Sequence, residues 1–306
     1  MLDEAHWIKN PDARRSIATK RLPRRIGLAL SGTPVENRLT DLWSICEFVI
    51  PSLLGTRDGF ESSTGGIANP GRLAGALMNP ITMRRTVASV AQDLPKLWEA
   101  AIMVDLTDEL RRTYFGLSAA GGSALSRLTA QRVFCAHAEA DLDPADFHTT
   151  PKVLHLLEMV REVLGRGEKA LVFASFQTTL DRLEVCLARE FPASYVEIVD
   201  GRSGTRFRQD QVDAFAAHEG PGLLLLNPKA AGVGLNITAA NHVIHFNPEW
   251  NPAVTDQATA RAYRRKQELP VMVHHLFYEG TVEDHVRDVV ERKRSLIEDV
   301  NGEIED

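Results

Sequence analysis

Asp3 and Glu4 stand side by side at the head of the run Asp3-Glu4-Ala5-His6. Just beyond the end of a strand, such a pair suits phosphate chemistry. The first carboxylate can hold Mg²⁺, and the second can orient or deprotonate an attacking water. Near the other end of the chain, Arg261 and Arg264 are three residues apart, a spacing that predicts both on one helical face. A guanidinium is a rigid fork of donors that binds phosphoryl oxygens and neutralises charge growing in a transition state. Between these, Gly232 and Gly234 in Lys229-Ala230-Ala231-Gly232-Val233-Gly234-Leu235-Asn236 let the backbone approach a phosphate or another loop closely. Taken alone, each signal has a plainer reading: an exposed acidic loop, a helix with solvated arginines, a turn.

These residues need elements to position them. Arg25 to Leu30 is a short apolar run ending in Ser31-Gly32-Thr33-Pro34, which predicts a buried strand entering a loop. From about Asn37 to Val49, the spacing of Leu39, Leu42, Trp43, Cys46 and Val49 predicts a helix, ended by Pro51. Residues 59–72, rich in Gly and Ser, read as a loop, and 105–140 as mainly helical with a break at Gly121-Gly122. Beyond Thr150 the pattern is regular. Strands are expected at Ala170–Ala174, Tyr195–Val199, Leu223–Leu226, His242–His245 and Val271–Leu276, with helices over 152–165, 178–190 and 205–217. This alternation predicts an α/β fold with a mainly parallel sheet covered on both faces. The first region is short of strands: only Met1 and Leu2 precede the acidic run, where a strand needs roughly 5–6 residues.

At 306 residues the chain is long enough for two domains of the usual size. Net charge is -6, which argues against a uniformly basic coat. Basic side chains nevertheless cluster at Arg14, Arg15, Lys20, Arg21, Arg24 and Arg25, and again at Arg261, Arg264, Arg265 and Lys266. Glu303, Glu305 and Asp306 predict a solvated acidic tail. Cys46, Cys135 and Cys186 are far apart and lack CxxC partners, which argues against a zinc site or a disulfide framework and for a reducing cytoplasm. His274-His275 lies in an apolar strand whose faces alternate, and His137, His148 and His155 have no ligand spacing. No apolar run is long enough to span a membrane, and no signal-peptide pattern follows Met1.

Longer stretches make the reading specific. They are Asp3-Glu4-Ala5-His6-Trp7-Ile8-Lys9-Asn10; Leu30-Ser31-Gly32-Thr33-Pro34-Val35-Glu36-Asn37 with Leu39-Thr40-Asp41-Leu42-Trp43-Ser44; and Met83-Arg84-Arg85-Thr86 with Asp93-Leu94-Pro95-Lys96. Further on come Leu171-Val172-Phe173-Ala174-Ser175-Phe176, Asp200-Gly201, the glycine-containing run from Lys229 to Asn236, and Gly280-Thr281-Val282-Glu283-Asp284. The strongest is Trp250-Asn251-Pro252 followed by Asp256-Gln257-Ala258-Thr259-Ala260-Arg261-Ala262-Tyr263-Arg264-Arg265-Lys266-Gln267. Together they resemble SWI/SNF-type DNA-dependent ATPases of helicase superfamily two, from Met1 to about Lys293.

The resemblance implies a RecA-like P-loop NTPase motor. Residues 1–104 would be a truncated first lobe, 105–149 a helical connector, 150–298 a complete second lobe and 299–306 the acidic tail. It implies ATP and Mg²⁺ as cofactors, Asp3 holding the metal through water and Glu4 activating water. Arg261 and Arg264 would reach the ATP site as fingers, supported by Asp256 and Gln257. His6, Ser31, Gly32, Thr33, Gly232 and Gly234 match positions that couple to the ATP site; Ser175, Lys229, Asn236 and Trp250 match DNA-contacting positions. The implied partner is double-stranded DNA, with a separately encoded first lobe or a DNA-bound protein complex as further candidates. No membrane partner is expected. The implied location is the cytoplasm with the nucleoid, or the nucleus in a eukaryote. Three positions depart from the family pattern: Ala231 and Lys266 replace usual glycines, and Tyr263 a common histidine. No G-x-x-x-x-G-K-[ST] loop occurs, so the chain alone is expected to hydrolyse ATP poorly. A non-catalytic nucleic-acid-binding or regulatory module is the alternative.

Overall fold

A computed structural model describes residues 1–85, 91, 93–119, 121–137, 147–202, 204–229 and 235–304. The chain divides into two compact units. One comprises Met1–Gln92, Asn251–Ala253 and Val289–Asp306; the other comprises Asp93–Trp250 and Val254–Asp288.

The first unit holds helices α1 (Arg14–Lys20), α2 (Leu39–Val49), α3 (Arg57–Thr64) and α4 (Pro70–Met78), and the last three build a core with Val35 from Leu39, Leu42, Cys46, Phe60, Ala74 and Met78. Helix α3 occupies part of the stretch expected to be loop. Thr56 caps it by accepting from the Gly59 N–H at 3.2 Å, and Phe60 anchors it in the core. The expected buried strand at 25–30 is corrected. It forms one parallel bridge, Leu2 to Ala29, and leaves Ile26, Leu28 and Leu30 at 78%, 56% and 49% exposure. With Leu2 as its one pairing neighbour among the described residues, this segment has nothing to bury those side chains against. The acidic tail is corrected too: Val300 and Ile304 join the core of this unit. A methyl group on Gly75 would lie 2.2 Å from the Val300 carbonyl oxygen, so glycine permits that close approach. Glu305 and Asp306 lie outside the described residues.

The second unit holds a six-stranded, all-parallel sheet in the order β1-β6-β5-β2-β4-β3. The strands are β1 (Leu97–Val104), β2 (Lys169–Phe173), β3 (Tyr195–Val199), β4 (Gly222–Leu226), β5 (His242–His245) and β6 (Val271–Tyr278). Five were expected. Edge strand β1 was not, and pairs with β6 from Leu97–Val271 to Val104–Tyr278. The division therefore falls after Gln92, not after Val104, and places β1 with the second unit. Helices α5 (Asp108–Ala119) and α6 (Ala124–His137) also belong to this unit; their Tyr114, Phe134 and Cys135 enter its core.

Two-sided burial explains why β2 and β4 are nearly continuous apolar runs. Successive residues point to opposite faces. Ala170 and Val172 pack into one cluster with Leu156 and Val160 of α7 (Pro151–Gly165) and Leu180 and Leu183 of α8 (Gln177–Glu190). Leu171 and Phe173 pack into another with Val212 and Phe215 of α9 (Thr205–Ala217) and Ala258 of α10 (Pro252–Thr259). Helix α11 (Val282–Asn301) follows β6, and the Thr281 hydroxyl at its start accepts from the Glu283 N–H at 3.1 Å.

Candidate functional site

In the first unit, three backbone bonds bring the acidic run beside the Ser-Gly-Thr loop. Leu2 N–H donates to the Leu28 carbonyl at 2.7 Å, Leu30 N–H to Leu2 at 2.8 Å and Ala5 N–H to Leu30 at 2.8 Å. The turn that follows is tight. Glu4 adopts φ 51°, a left-handed conformation uncommon for a residue with a side chain. Asp3 Oδ1 accepts from the Glu4 N–H at 2.9 Å, leaving its other oxygen free of that bond, and the exposed Glu4 carboxylate lies 3.1 Å from His6 Nδ1. The His6 ring stacks on Trp7 with centroids 5.6 Å apart. In the neighbouring loop Ser31 Oγ accepts from the Thr33 N–H at 3.1 Å, and Gly32 is exposed.

Buried Asp41 holds that loop against α2. Its Oδ2 accepts from the N–H groups of Glu36 (3.2 Å), Asn37 (2.8 Å) and Arg38 (3.3 Å), satisfying donors that the helix start leaves open. Glu36 is itself buried, pairs with Lys9, and accepts from Asn251 Nδ2 at 2.7 Å. Burial lowers the pKa of Lys293, which lies near Glu36, Lys9 and Asp41. Among the described residues no group of three or more His, Cys, Asp or Glu side chains could hold a metal by itself. Asp3 fits the other mode, in which Mg²⁺ takes one or two carboxylates and keeps waters and phosphate oxygens.

In the second unit a polar network sits beyond the carboxyl ends of β2, β4 and β5, where open parallel sheets bind ligands. Ser175 N–H donates to Asn247 Oδ1 at 3.1 Å, and Asn227 Nδ2 donates to the Ser175 carbonyl at 3.0 Å. The Ser175 hydroxyl donates to Glu249 Oε1 at 2.6 Å, and Lys229 Nζ stands 3.7 Å from Glu249 Oε2. Glu249 is 6% exposed and ties together two residues read from sequence as DNA-contacting. Trp250 lies beside them, with Arg132 over its ring at 5.7 Å and His285 against it at 5.9 Å. Asn236 is exposed and outside this network; Gly232 and Gly234 lie outside the described residues.

The arginine pair requires a correction. Helix α10 ends at Thr259, so Arg261 and Arg264 sit on successive turns and not on one helical face. Buried Gln267 explains the irregular path: its Nε2 donates to the carbonyls of Thr238 (3.1 Å), Ala240 (2.8 Å) and Ala262 (3.2 Å), pulling the chain inward. The Arg261 carbonyl accepts from the Ile237 N–H at 2.9 Å, and its Nη1 donates to the Leu235 carbonyl at 3.4 Å. Arg264 is exposed, as is Asp256, while Gln257 is half-buried. Lys266, at a usual glycine position, adopts φ 81°.

Sequence reasoning overlooked Glu249, Asn227 and Asn247 as site residues. Their signal was available: each is a polar residue shortly after an apolar strand, where the chain leaves the sheet.

The parallel sheet, with its polar network beyond the carboxyl ends of its strands, defines an α/β lobe of the RecA-like class. Comparison with known proteins gives the family. The SNF2-related domain matches residues 1–156, and the helicase conserved C-terminal domain matches residues 152–266. An uncharacterised ATP-dependent helicase of Mycoplasma genitalium is 33% identical over 98% of this chain and 31% of its own length. The DNA repair and recombination protein RAD26 of Saccharomyces cerevisiae is 31% identical over 94% of this chain and 30% of its own. The solved SWI2/SNF2 ATPase core of Sulfolobus solfataricus in complex with dsDNA is 30% identical, with TM-score 0.55, over 98% of this chain and 68% of that one. The chain belongs to the SWI2/SNF2 family of ATP-dependent helicase-like proteins. It spans about a third of the length of these curated relatives.

Proposed function

We propose that the chain is a segment of an ATP-dependent double-stranded DNA translocase. The observation that carries this reading is the acidic turn Asp3–Glu4 hydrogen-bonded beside the Ser31–Thr33 loop. In it, Asp3 holds Mg²⁺ through water and Glu4 orients the attacking water, with His6, Ser31, Gly32 and Thr33 coupling that turn to the rest of the motor. Arg261 and Arg264 neutralise phosphoryl charge, supported by Asp256 and Gln257, and Gly232 and Gly234 serve the same coupling. Bound Mg²⁺ and ATP supply the phosphoryl electrophile; the protein side chains position and neutralise.

Ser175, Lys229, Asn236 and Trp250 take the duplex backbone. Glu249 supports this by orienting the Ser175 hydroxyl and the Lys229 ammonium. The structural relative solved with dsDNA favours a duplex ligand.

These 306 residues contain no phosphate-cradling loop, so the chain alone turns ATP over little or not at all. Exposed Ile26, Leu28 and Leu30 offer an apolar surface that a further element would cover, which suits a segment bearing such a loop as the complementing partner. The test is a mixing experiment. A segment with G-x-x-x-x-G-K-[ST], taken from a SWI2/SNF2 relative, should restore DNA-stimulated ATPase activity. Arg264→Ala should then reduce it roughly 10³-fold or more, the scale of an arginine finger. Robust turnover by the chain alone would refute the inactivity. Failure of every complementing segment, with duplex binding intact, would favour a non-catalytic binding module.

A further inference from the structure

We propose that Lys20, Arg24 and Arg25 form a phosphate-binding pocket in the first unit, separate from the acidic turn. The pocket has a volume of about 270 Å³ and is lined by these three cations with Leu22, Gly27, Val49 and Pro51. No carboxylate lines it. Among the described residues, none lies within ion-pair distance of Lys20, Arg24 or Arg25.

Two of the three cations are fixed in place. Arg24 Nε donates to the Phe48 carbonyl at 2.9 Å, and its Nη1 donates to the carbonyls of Lys20 (2.9 Å) and Leu22 (3.0 Å). The guanidinium lies over the Phe48 ring at 4.4 Å, and Nη2 makes none of these three bonds. Lys20 Nζ donates to Ser44 Oγ at 2.7 Å and stands 5.1 Å from the Trp43 ring centre. Two carboxylates act on Lys20 from its other side: Glu47, which also accepts from the Ser52 N–H, and Asp12, whose two oxygens both accept from Arg57. Arg25 is exposed and has no partner among the described residues.

Capping of the α2 end by a cation accounts for Arg24. It leaves Arg25 unexplained, and Lys20 keeps two ammonium donors beyond its bond to Ser44 Oγ. Three positive groups around one small pocket match a tetrahedral phosphate, whose several acceptor oxygens can meet donors from different directions. The pocket is smaller than a typical drug-sized site, so it suits a phosphate group and little more. None of its lining residues belongs to the acidic turn or to the Ser31–Thr33 loop. The phosphate can come from a duplex backbone or from free phosphate, and the experiment distinguishes the two.

Inorganic phosphate is titrated while the backbone amides of Leu22 and Gly27 are followed by NMR, with sodium chloride of equal ionic strength as control. A saturable shift is expected with phosphate alone. Arg25→Ala and Lys20→Gln should each weaken it roughly ten-fold, as for loss of a charge-assisted hydrogen bond. Lys20→Arg should keep it, and thermal midpoints report that the variants remain folded. In parallel, duplex affinity is measured against salt concentration. If the backbone is the source, each variant lowers the slope of log affinity against log salt by about one. If free phosphate is the source, that slope is unchanged while the phosphate shift is lost. Shifts no larger than those with chloride, together with unchanged slopes in both variants, would overturn the pocket.

Discussion

At the scale of single residues, the most informative positions are those that depart from the family pattern or from ordinary backbone geometry. Lys266 is both: it replaces a usual glycine and adopts φ 81°. A side chain in the left-handed region costs free energy that glycine avoids. Lys266→Gly is therefore expected to stabilise the protein by about 1 kcal/mol, read as a higher denaturant midpoint with unchanged slope. A lower midpoint would show that the lysine makes a compensating contact. This position was legible in sequence as a departure, but its cost was not, because backbone dihedrals follow from the path of the loop. Glu249 is the reverse case. Its role depends on a buried geometry that brings Ser175 and Lys229 to one carboxylate, and residues 74 and 20 positions away in the chain do not advertise that pairing.

At the scale of elements, α6 and β6 each carry a histidine held in its neutral form. Burial pushes the pKa of His137 down to about 4, with Arg182 adding to the effect. Burial does the same to His274, helped by His242 and His275. His137 keeps one partner, the Thr179 hydroxyl at 2.9 Å. The sign follows from the lowered values. Above the ordinary value of 6.5 both folded and unfolded histidines are neutral, and the stabilisation is complete. As pH falls from there toward about 4, the unfolded chain takes up protons that the folded one refuses, and stability declines. His137 alone contributes on the order of 3 kcal/mol to this loss. The unfolding free energy should fall more steeply between pH 7 and pH 5 in the wild type than in His137→Asn; equal slopes would show that His137 is not held neutral. Helix α10 and the loop after it carry a related lesson. Three-residue spacing predicted a helical face for Arg261 and Arg264, yet Gln267 bonds to three backbone carbonyls and ends the helix early. Local periodicity cannot register a bond made by a residue beyond the helix to carbonyls elsewhere.

At the scale of the whole molecule, net charge of -6 conceals local cationic clusters, so the proposed duplex binding would rest on those clusters and not on a general attraction. Binding should weaken steeply with added salt because phosphate contacts release counterions. Filter binding or fluorescence anisotropy over a salt series measures this, and affinity that is flat between low and moderate salt would contradict the duplex as ligand.

The sequence alone determined the family, the α/β class and five of the six described strands. The reason is that apolar periodicity and motif spacing are local properties of the chain. Tertiary structure decided the rest. It joined β1 to the sheet of the second unit, since an edge strand with one pairing partner lacks the two-sided apolar run that marks a central one. It drew Val300 and Ile304 out of an acidic tail into a core, because the sign of a segment's charge says nothing about where its apolar side chains can pack. It set the acidic run beside the strand segment that leads into the Ser31–Thr33 loop, and Glu249 between Ser175 and Lys229, through hydrogen bonds and an ion pair across long sequence separations. Such bonds become visible only when the fold has closed the distance.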